Sequence, residues 1–211
     1  MVGSLAIYGP GDFAEEFAAP PAAMAALERF RVMVEDANTV MNLVGASTLP
    51  QFWSRHARDS AQLLRVAPGA LSWADLGAGA GFPGVVLAIL LSGLDGAQVH
   101  LIDSLTKRCR FLQGVVDELA LPARVWNARA ESLELKVDVV TARACAPLVR
   151  LLGLAEPYLE RGAAGLFLKG ESIVDELRAA RTSWIVEADL LPSISDPRGR
   201  VVQIRRLQRA R

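Results

Sequence analysis

The stretch Asp75-Leu76-Gly77-Ala78-Gly79-Ala80-Gly81-Phe82-Pro83-Gly84 decides the fold class of this 211-residue chain. It follows a short apolar run at 71–76 and leads into a second apolar run, at 83–91, that suits a helix. Glycine tolerates positive φ angles and lets the backbone come close to a ligand. The four glycines in the eight residues from Gly77 to Gly84 therefore predict a nucleotide-binding turn between a strand and a helix.

Strands and helices alternate along the chain around this turn. The apolar pattern predicts strands at 71–76, 99–102, 124–127, 137–141 and 164–168, with helices at 83–91, 106–119, 148–159 and 173–181. Such alternation specifies a parallel sheet with helices on both faces. Two further β-rich runs, 184–190 and 200–206, are joined by a short loop and predict an antiparallel edge. We expect an α/β fold with a Rossmann-like, mostly parallel seven-stranded sheet.

The residues before this sheet are expected to form an accessory layer. Residues 1–21 are rich in glycine, proline and alanine without a period, which predicts a loose arm. Apolar residues at helical spacing predict an amphipathic helix at 22–41, and a short second helix fits 50–66. We therefore expect an N-terminal arm with accessory helices at 1–69 and a cofactor-binding core at 70–211, within one compact domain.

Composition restricts the class of protein. Hydrophobic residues make up 52% of the chain, which is enough for a sizeable core and excludes a disordered or fibrous protein. The apolar run Val85 to Leu91 is far shorter than the ~20 residues of a membrane-spanning helix. No basic residue precedes Arg29, so the charged start of a secretory signal is missing. Because Cys109 and Cys145 are too few for a disulfide framework and lack metal-ligand spacing, we expect a cytoplasmic enzyme or binding domain without a metal.

Charge is balanced overall but uneven along the chain. The 23 basic and 23 acidic residues cancel, which argues against binding nucleic acid by net charge alone. Six arginines and no acidic residue follow Asp196. This end of the chain fits either a solubilising tail or a local basic face on a neutral protein.

The glycine turn admits two classes of cofactor. Its first three glycines form G-x-G-x-G, and its last three form the G-x-G-x-x-G of dinucleotide sites. Asp103, at the end of the next strand, suits ribose hydroxyls in either class. The predicted strand at 71–76 carries Asp75 at its end, so the first turn glycine is Gly77 and the dinucleotide motif begins too late. A carboxylate at that point, facing the site, would repel a pyrophosphate and suit a cationic ligand, which favours S-adenosylmethionine over NAD.

Polar and glycine residues also follow the other predicted strands. Because ligands of open α/β sheets bind at the carboxyl ends of the strands, these residues are expected to surround one pocket. They are Asp75 and Gly77, then Asp103, Ala130-Glu131, Arg143 and Lys169-Gly170.

Several short motifs of the chain recur, in the same order, in one family of enzymes. They are Asn42-Leu43, Arg55-His56 with Asp59-Ser60, the glycine stretch, Leu101-Ile102-Asp103-Ser104, Lys107-Arg108, Ala128-Arg129-Ala130-Glu131, Ala142-Arg143-Ala144 and Leu168-Lys169-Gly170. Over residues 42–170 the chain resembles the bacterial small-subunit ribosomal RNA guanine-N7 methyltransferases, also called the glucose-inhibited division protein B family. The D-x-G-x-G-x-G element alone marks SAM-dependent methyltransferases in general, and its combination with the other motifs is more specific.

The resemblance implies the class I SAM-dependent methyltransferase fold and methyl transfer from S-adenosyl-L-methionine to N7 of a guanine in 16S ribosomal RNA, of the guanine-527 type. The expected partner is this RNA or the small ribosomal subunit, with no membrane and no metal. Arg143 is the expected catalytic residue. The expected cofactor site comprises Asp75, Gly77, Gly79, Phe82, Asp103, Ser104, Leu105, Ala130, Glu131 and Arg143. RNA contacts are expected at Arg55, His56, Lys107, Arg108 and Lys169.

Two features depart from the pattern of that family, and three other functions stay open. The loop at 91–99 is longer, and Gly199-Arg200 stands where the family tends to place a basic-histidine pair. The alternatives are a methyltransferase for a small molecule or protein, an NAD-dependent oxidoreductase and a non-catalytic RNA- or ribosome-binding module. His56, Asp59 and Ser60 suggest a hydrolytic triad only superficially, because all three would share one helix. Cys109 and Cys145 are interpreted as small core residues.

Overall fold

The computed structural model describes residues 8–210, which form one seven-stranded sheet flanked by helices. The strands are β1 (Ser72–Leu76), β2 (Gln98–Asp103), β3 (Ala123–Asn127), β4 (Val139–Arg143), β5 (Ala164–Lys169), β6 (Trp184–Pro192) and β7 (Arg200–Arg209). The helices are α1 (Pro10–Phe17), α2 (Pro21–Met41), α3 (Arg58–Ala61), α4 (Leu63–Val66), α5 (Gly84–Leu90), α6 (Thr106–Glu118), α7 (Leu148–Glu160) and α8 (Ile173–Ala180). Every element predicted from 71 onward is confirmed, with ends that differ by at most three residues.

The strand order is β3-β2-β1-β4-β5-β7-β6. Strands β1 to β5 are parallel, and the chain steps outward from β1 to β2 and β3 before it crosses to β4 on the other side of β1. This reversal opens a crevice at the carboxyl ends of β1 and β4, where open α/β sheets bind ligands. Strand β7 pairs antiparallel with both β5 and β6, so the predicted antiparallel edge is also confirmed.

The side chains of β1 alternate between two hydrophobic cores, one on each face of the sheet. Trp73 joins the core shared with α2, α5 and α6, whereas Ala74 and Leu76 join the core shared with α7 and α8. Phe30 and Leu101 are fully buried in the first core, and burying such a side chain contributes about 1.5–3 kcal/mol. Because both faces of the sheet are packed against helices, the positions of the residues at the carboxyl ends of its strands are well fixed.

The N-terminal region differs from the loose arm expected at 1–21. Its first seven residues lie outside the described part of the chain, but helix α1 occupies Pro10–Phe17. Proline is favourable at a first helical position, and the carboxylate of Asp12 accepts a hydrogen bond from the backbone N–H of Gly9 at 2.7 Å. Phe13 anchors the helix, since its ring is buried 5.5 Å from that of Trp53. Because this helix has only two turns and one buried residue, its sequence shows no apolar repeat from which a helix could be predicted.

The prediction of a single helix at 50–66 is also wrong, because several short helical segments of different type occupy this region. A 3₁₀ segment, Ala46–Gln51, leads into a π-helical segment, Phe52–Ala57, before the short helices α3 and α4. Pro50 lies inside the 3₁₀ segment and has no N–H to donate to a regular α-helical ladder. π-helical turns are frequent at functional sites, and this one buries His56 while Arg55 stays exposed.

Candidate functional site

The glycine turn takes the shape that its sequence predicts. Gly77 has φ +68° and therefore the left-handed backbone that glycine adopts without strain. A Cβ at this position would also stand 2.5 Å from Sγ of Cys145. At Gly84, the first residue of α5, a Cβ would stand 2.7 Å from Oδ2 of Asp75. Glycine at these two positions allows the turn to pack closely against the segment that follows β4 and against β1.

A cavity of about 290 Å³ lies beside this turn at the carboxyl ends of β1, β2, β3 and β4. Six of the predicted cofactor residues line it, namely Gly77, Asp103, Ser104, Leu105, Ala130 and Glu131. Its wall also contains residues that the sequence did not single out for this role: Ile102, Arg129, Cys145, Arg150 and Leu154. We call this space the smaller cavity.

Asp103 joins the end of β2 to the glycine turn. Its buried carboxylate accepts hydrogen bonds from the backbone N–H groups of Leu105 at 2.8 Å and Gly79 at 3.0 Å. Arg108 on α6 lies 3.5 Å from Oδ2 of the same carboxylate. Each carboxylate oxygen can accept a second hydrogen bond, so this group can take the hydroxyls of a ribose.

A larger cavity, of about 690 Å³, adjoins the smaller one. It lies between the glycine turn, the segment at 43–59 and the loop at 195–200. Gly79, Phe82 and Arg143 line it, together with Arg55, His56 and Lys169 from the expected RNA-contacting set. Gly77, Arg108 and Ala144 line both cavities. The predicted site residues are thus divided between two connected spaces, with Arg143 on the larger one.

Asp75 lies beneath the glycine turn and lines neither cavity, in contrast to its expected place in the cofactor site. The side chain is 0% exposed, lines neither cavity, and accepts a hydrogen bond from the backbone N–H of Gly84 at 2.8 Å. Desolvation raises the pKa of Asp75 to about 7. Its Oδ1 atom and the hydroxyl of Thr141, its neighbour on β4, are buried without a partner among the described residues. Asp75 holds the start of α5 beneath the glycine turn.

Arg143 ends β4 and is held on several sides. Its guanidinium donates to the backbone carbonyl of Arg55 at 3.2 Å and to Nδ1 of His56 at 2.9 Å. The carboxylate of Asp59 lies 3.5 Å away, and the ring of Phe82 lies under Cζ at 4.7 Å. Only 17% of the Arg143 side chain is exposed, so the group is oriented by its surroundings rather than by solvent.

The structure also corrects the expectation that His56 contacts RNA. The residue is 5% exposed and its ring stacks on Phe82 at 4.7 Å. Nε2 lies 3.0 Å from Oγ1 of Thr48, and Nδ1 lies 2.9 Å from Arg143. Burial and the positive charges of Arg143 and Arg55 lower the pKa of His56 to about 3. The imidazole is therefore neutral, with both nitrogens engaged inside the protein.

Lys169, like His56, was expected to contact RNA and instead makes its contacts inside the protein. Its side chain is 10% exposed, with Nζ 2.6 Å from Oε2 of Glu176 and a hydrogen bond of 3.0 Å to the carbonyl of Ala146. Glu176 in turn accepts the backbone N–H of Leu148, at the start of α7. This pair holds the turn between β4 and α7, where Ala144 has φ +51°. Lys169 therefore braces the site from within, whereas Arg55 and Lys107 are exposed as an RNA contact requires.

Sequence reasoning missed the contribution of the loop between β6 and β7. Ser195 in this loop donates a hydrogen bond of 2.6 Å to Asp59, and Gln62 accepts the backbone N–H of Ile194. These contacts bring Arg198 and Arg200 to the wall of the larger cavity. The arginines near the end of the chain were the one sequence feature that could have indicated this role. Their position in the fold, however, depends on contacts with residues more than 130 positions earlier.

Comparisons with known proteins agree with this geometry. A family model described as rRNA small subunit methyltransferase G matches residues 23–198. A relative from Caulobacter vibrioides (strain NA1000 / CB15N), named ribosomal RNA small subunit methyltransferase G, is 60% identical over 185 residues, covering 88% of this chain and 86% of its own. One of the same name from Methylorubrum populi is 42% identical over 187 residues, covering 87% and 89%.

Solved structures share the fold at low sequence identity. A SAM-dependent methyltransferase from Aquifex aeolicus has a TM-score of 0.55 at 17% identity and covers 74% of this chain and 92% of its own. A Podospora anserina methyltransferase solved with bound SAH has a TM-score of 0.57 at 14% identity and covers 88% of each chain. Both confirm the class I methyltransferase fold that the resemblance implies.

Proposed function

Since this chain belongs to the rRNA small subunit methyltransferase G family, we propose that it transfers a methyl group from S-adenosylmethionine to N7 of a guanine in 16S ribosomal RNA. The guanine of position 527 is the proposed target within that RNA. The observation that carries the proposal is the pair of adjoining cavities. One presents the residues of a nucleoside site, and the other is lined by arginines and opens to solvent beside exposed basic groups.

The smaller cavity fits S-adenosylmethionine. When bound, this cofactor supplies a methyl group on a positively charged sulfur. Asp103 could accept hydrogen bonds from the ribose hydroxyls, and Ser104, Leu105, Ala130 and Glu131, which line the same cavity, would hold the rest of the nucleoside. Gly77 lines this cavity and has no side chain that would keep its backbone away from a ligand. The methyl donor would then point toward the larger cavity, where the two spaces share Gly77 and Ala144.

Guanine N7 needs little acid–base help from the protein. The atom carries a lone pair and no proton, so its methylation requires no general base. Catalysis then depends on holding N7 in line with the methyl group, and well-oriented groups can contribute ~7–11 kcal/mol to such a step. The site agrees with this requirement, because His56 has both ring nitrogens engaged and is not placed to remove a proton.

Arg143 is the residue best placed to orient the guanine. Among the residues that the structure describes, its Nε–H and one Nη2–H have no protein acceptor. Guanine presents O6 next to N7, and arginine is a common donor to that edge of the base. A hydrogen bond to O6 leaves N7 free to accept the methyl group. We assign this orienting role to Arg143.

Exposed basic residues at the mouth of the larger cavity fit an RNA backbone. Arg55 and Arg198 line this cavity and are exposed. Lys107 lines neither cavity, but it is exposed at the start of α6 next to Arg108, which lines both. Contacts to phosphate position a nucleic acid without reading its sequence. Because the chain has no net charge, binding would rest on this local group of cations. No helix within residues 8–210 combines the length and apolar character needed to cross a bilayer.

The family to which the chain belongs is named for an RNA of the ribosome. On that ground we propose a cytoplasmic location.

The test is methyl transfer from labelled S-adenosylmethionine to small ribosomal subunits that lack this modification, followed by mapping of the labelled base. We expect label at N7 of a single guanine. The Arg143→Ala variant should bind the cofactor and keep its fold but lose most of its turnover. Subunits that stay unlabelled, although cofactor binding is confirmed in the same sample, would overturn the substrate and favour a small molecule or protein acceptor.

A further inference from the structure

A directional chain of hydrogen bonds ends at Arg143. An arginine side chain carries donors and no acceptor, so Nδ1 of His56 must accept the 2.9 Å hydrogen bond from Nη2 of Arg143. The single ring proton of a neutral imidazole then resides on Nε2, which lies 3.0 Å from Oγ1 of Thr48. The Thr48 hydroxyl donates to the backbone carbonyl of Gly45 at 2.7 Å. Each donor in the chain therefore meets an acceptor.

From this chain we propose that His56 is a positioning residue for the methyl transfer, which acts by presenting a fixed acceptor, Nδ1 of the neutral Nε2–H tautomer, to Arg143. The proposal rests on the function proposed above, because it assumes that Arg143 orients the guanine. His56 itself is 5% exposed, and in this proposal it acts through Arg143 and not by contact with the reacting atoms.

The surroundings hold the imidazole in one orientation. The ring lies nearly parallel to Phe82, at 21° and 4.7 Å between centroids, and Phe82 packs against Phe30 and Phe52 in the core. Thr48 fixes the far edge of the ring. Phe82 and Thr48 together fix the position of Nδ1 in His56. Because Arg143 can donate to Nδ1 from only one direction, the fixed imidazole also orients the guanidinium.

The other contacts of Arg143 leave its direction less well defined. Asp59 lies 3.5 Å away and shares its carboxylate with Ser195 and Gln62. The carbonyl of Arg55 accepts at 3.2 Å from Nη1. Of the polar contacts to the guanidinium, the one to His56 is the shortest and binds Nη2. A protonated His56 would replace this acceptor by a second donor and bring two positive charges together.

Two substitutions separate the roles of the two ring nitrogens. In His56→Asn, the amide oxygen lies as many bonds from Cβ as Nδ1 does, so an acceptor for Arg143 remains while the contact with Thr48 is lost. In His56→Gln, the amide group reaches the level of Nε2, so the contact with Thr48 can remain while the acceptor at Nδ1 is lost. If His56 had a purely structural role, the two variants would differ in their stability, and their kcat values would not depend on which ring nitrogen is replaced.

The experiment measures kcat for subunit methylation and the affinity for SAH in wild type and both variants. We expect His56→Gln to lower kcat by roughly 10- to 100-fold and His56→Asn to keep it within about fivefold of wild type. The affinity for SAH should stay near the wild-type value in both. In an Arg143→Ala background, His56→Gln should cost little further activity. Equal losses in the two variants, or a full additional loss in the Arg143→Ala background, would overturn the proposal.

A second measurement tests the same assignment without RNA. The nitrogen chemical shifts of His56 in the full-length wild-type protein distinguish a protonated from an unprotonated ring nitrogen. We expect a proton on Nε2 and a bare Nδ1 from pH 5 to pH 8. A proton on Nδ1 would overturn the proposal even if the subunit is methylated. If the tautomer is as expected but wild type does not methylate the subunit, the proposed function fails, and the positioning role in methyl transfer fails with it.

Discussion

Lys169 and Glu176 form a partly buried pair whose members each also bind the backbone of the turn between β4 and α7. Nζ lies 2.6 Å from Oε2, the lysine donates to Ala146, and the glutamate accepts the N–H of Leu148. The pair therefore fixes the turn that separates the two cavities, although Lys169 in sequence alone resembles an RNA-binding residue.

This arrangement predicts that Lys169→Met destabilises the fold. The substitution leaves the carboxylate of Glu176 without its cation and should lower the free energy of unfolding by ~2 kcal/mol, measured by urea denaturation. The matched control is Lys107→Met, at an exposed position on α6, which should change stability by less than ~0.5 kcal/mol and weaken subunit binding instead. Unchanged stability in Lys169→Met, together with weaker RNA binding, would restore the contact role that the sequence suggested.

The contact between Gly77 and Cys145 predicts a second outcome. A methyl group at Gly77 would stand 2.5 Å from Sγ, on a backbone at φ +68°. We expect Gly77→Ala to weaken SAH binding at least about tenfold, measured by calorimetry, because left-handed strain and displacement of the turn together cost ~1–3 kcal/mol. Adding Cys145→Ala should recover part of this loss, since it removes the sulfur but not the strain.

Gly114 provides the control for that substitution. It lies on α6, where a Cβ would meet nothing within 4 Å. Gly114→Ala should leave SAH binding unchanged and stabilise the protein by ~0.5–1 kcal/mol through helix propensity. If Gly77→Ala bound SAH as well as Gly114→Ala does, the close packing of the glycine turn would not matter for the cofactor.

Burial of Asp75 predicts an unusual dependence of stability on pH. The pKa of Asp75 is about 7 in the folded protein, against 3.8 for the free side chain. Between these values the folded state binds more protons, so this residue makes the protein less stable as pH rises toward 7. Asparagine has no proton to lose. The advantage of Asp75→Asn over wild type in the free energy of unfolding should therefore grow by roughly 3 kcal/mol from pH 5 to pH 8.

Asp138 serves as the comparison for Asp75. Its carboxylate accepts the backbone N–H groups of Leu71 and Ser72, which lower its pKa. Because it is ionised in both the folded and the unfolded chain from pH 5 to pH 8, the effect of Asp138→Asn should be constant over that range. A constant difference for Asp75→Asn as well would show that Asp75 ionises normally despite its burial.

Salt dependence tests the proposed RNA face. Arg198 is exposed on the wall of the larger cavity, and each lost phosphate contact reduces the slope of log affinity against log salt by about 1. Arg198→Gln should therefore weaken subunit binding and lower that slope. Arg205→Gln, at an exposed position on β7 that lines neither cavity, should leave both unchanged. Equal effects of the two variants would indicate non-specific attraction rather than a defined contact.

Much of the fold could be predicted because its signals are local. Alternating apolar runs and the glycine turn determined the strands and helices from β1 onward to within three residues. The turn also indicated the correct cofactor class, but for a reason that the structure corrects. Asp75 was expected to face a cationic ligand, and instead it lies beneath the turn and binds Gly84.

The roles of individual site residues could not be predicted in the same way. His56 and Arg143 are 87 positions apart, and nothing near either residue indicates that they meet. Lys169 and Lys107 are the same residue type, yet Lys169 is largely buried and paired with Glu176, whereas Lys107 is exposed. Whether a charged side chain faces a ligand or a protein partner depends on contacts between distant segments, and a single sequence does not encode these as a local pattern.

The antiparallel edge of the sheet has a consequence for the order in which the site forms. The chain passes through β6 before β7, but β7 lies between β6 and the rest of the sheet. During synthesis β6 must therefore wait, unpaired, until β7 has emerged and inserted. The connecting loop can bond Asp59 through Ser195 only after that insertion. The wall that Arg198 and Arg200 add to the larger cavity is thus completed only when the last strand of the sheet is in place.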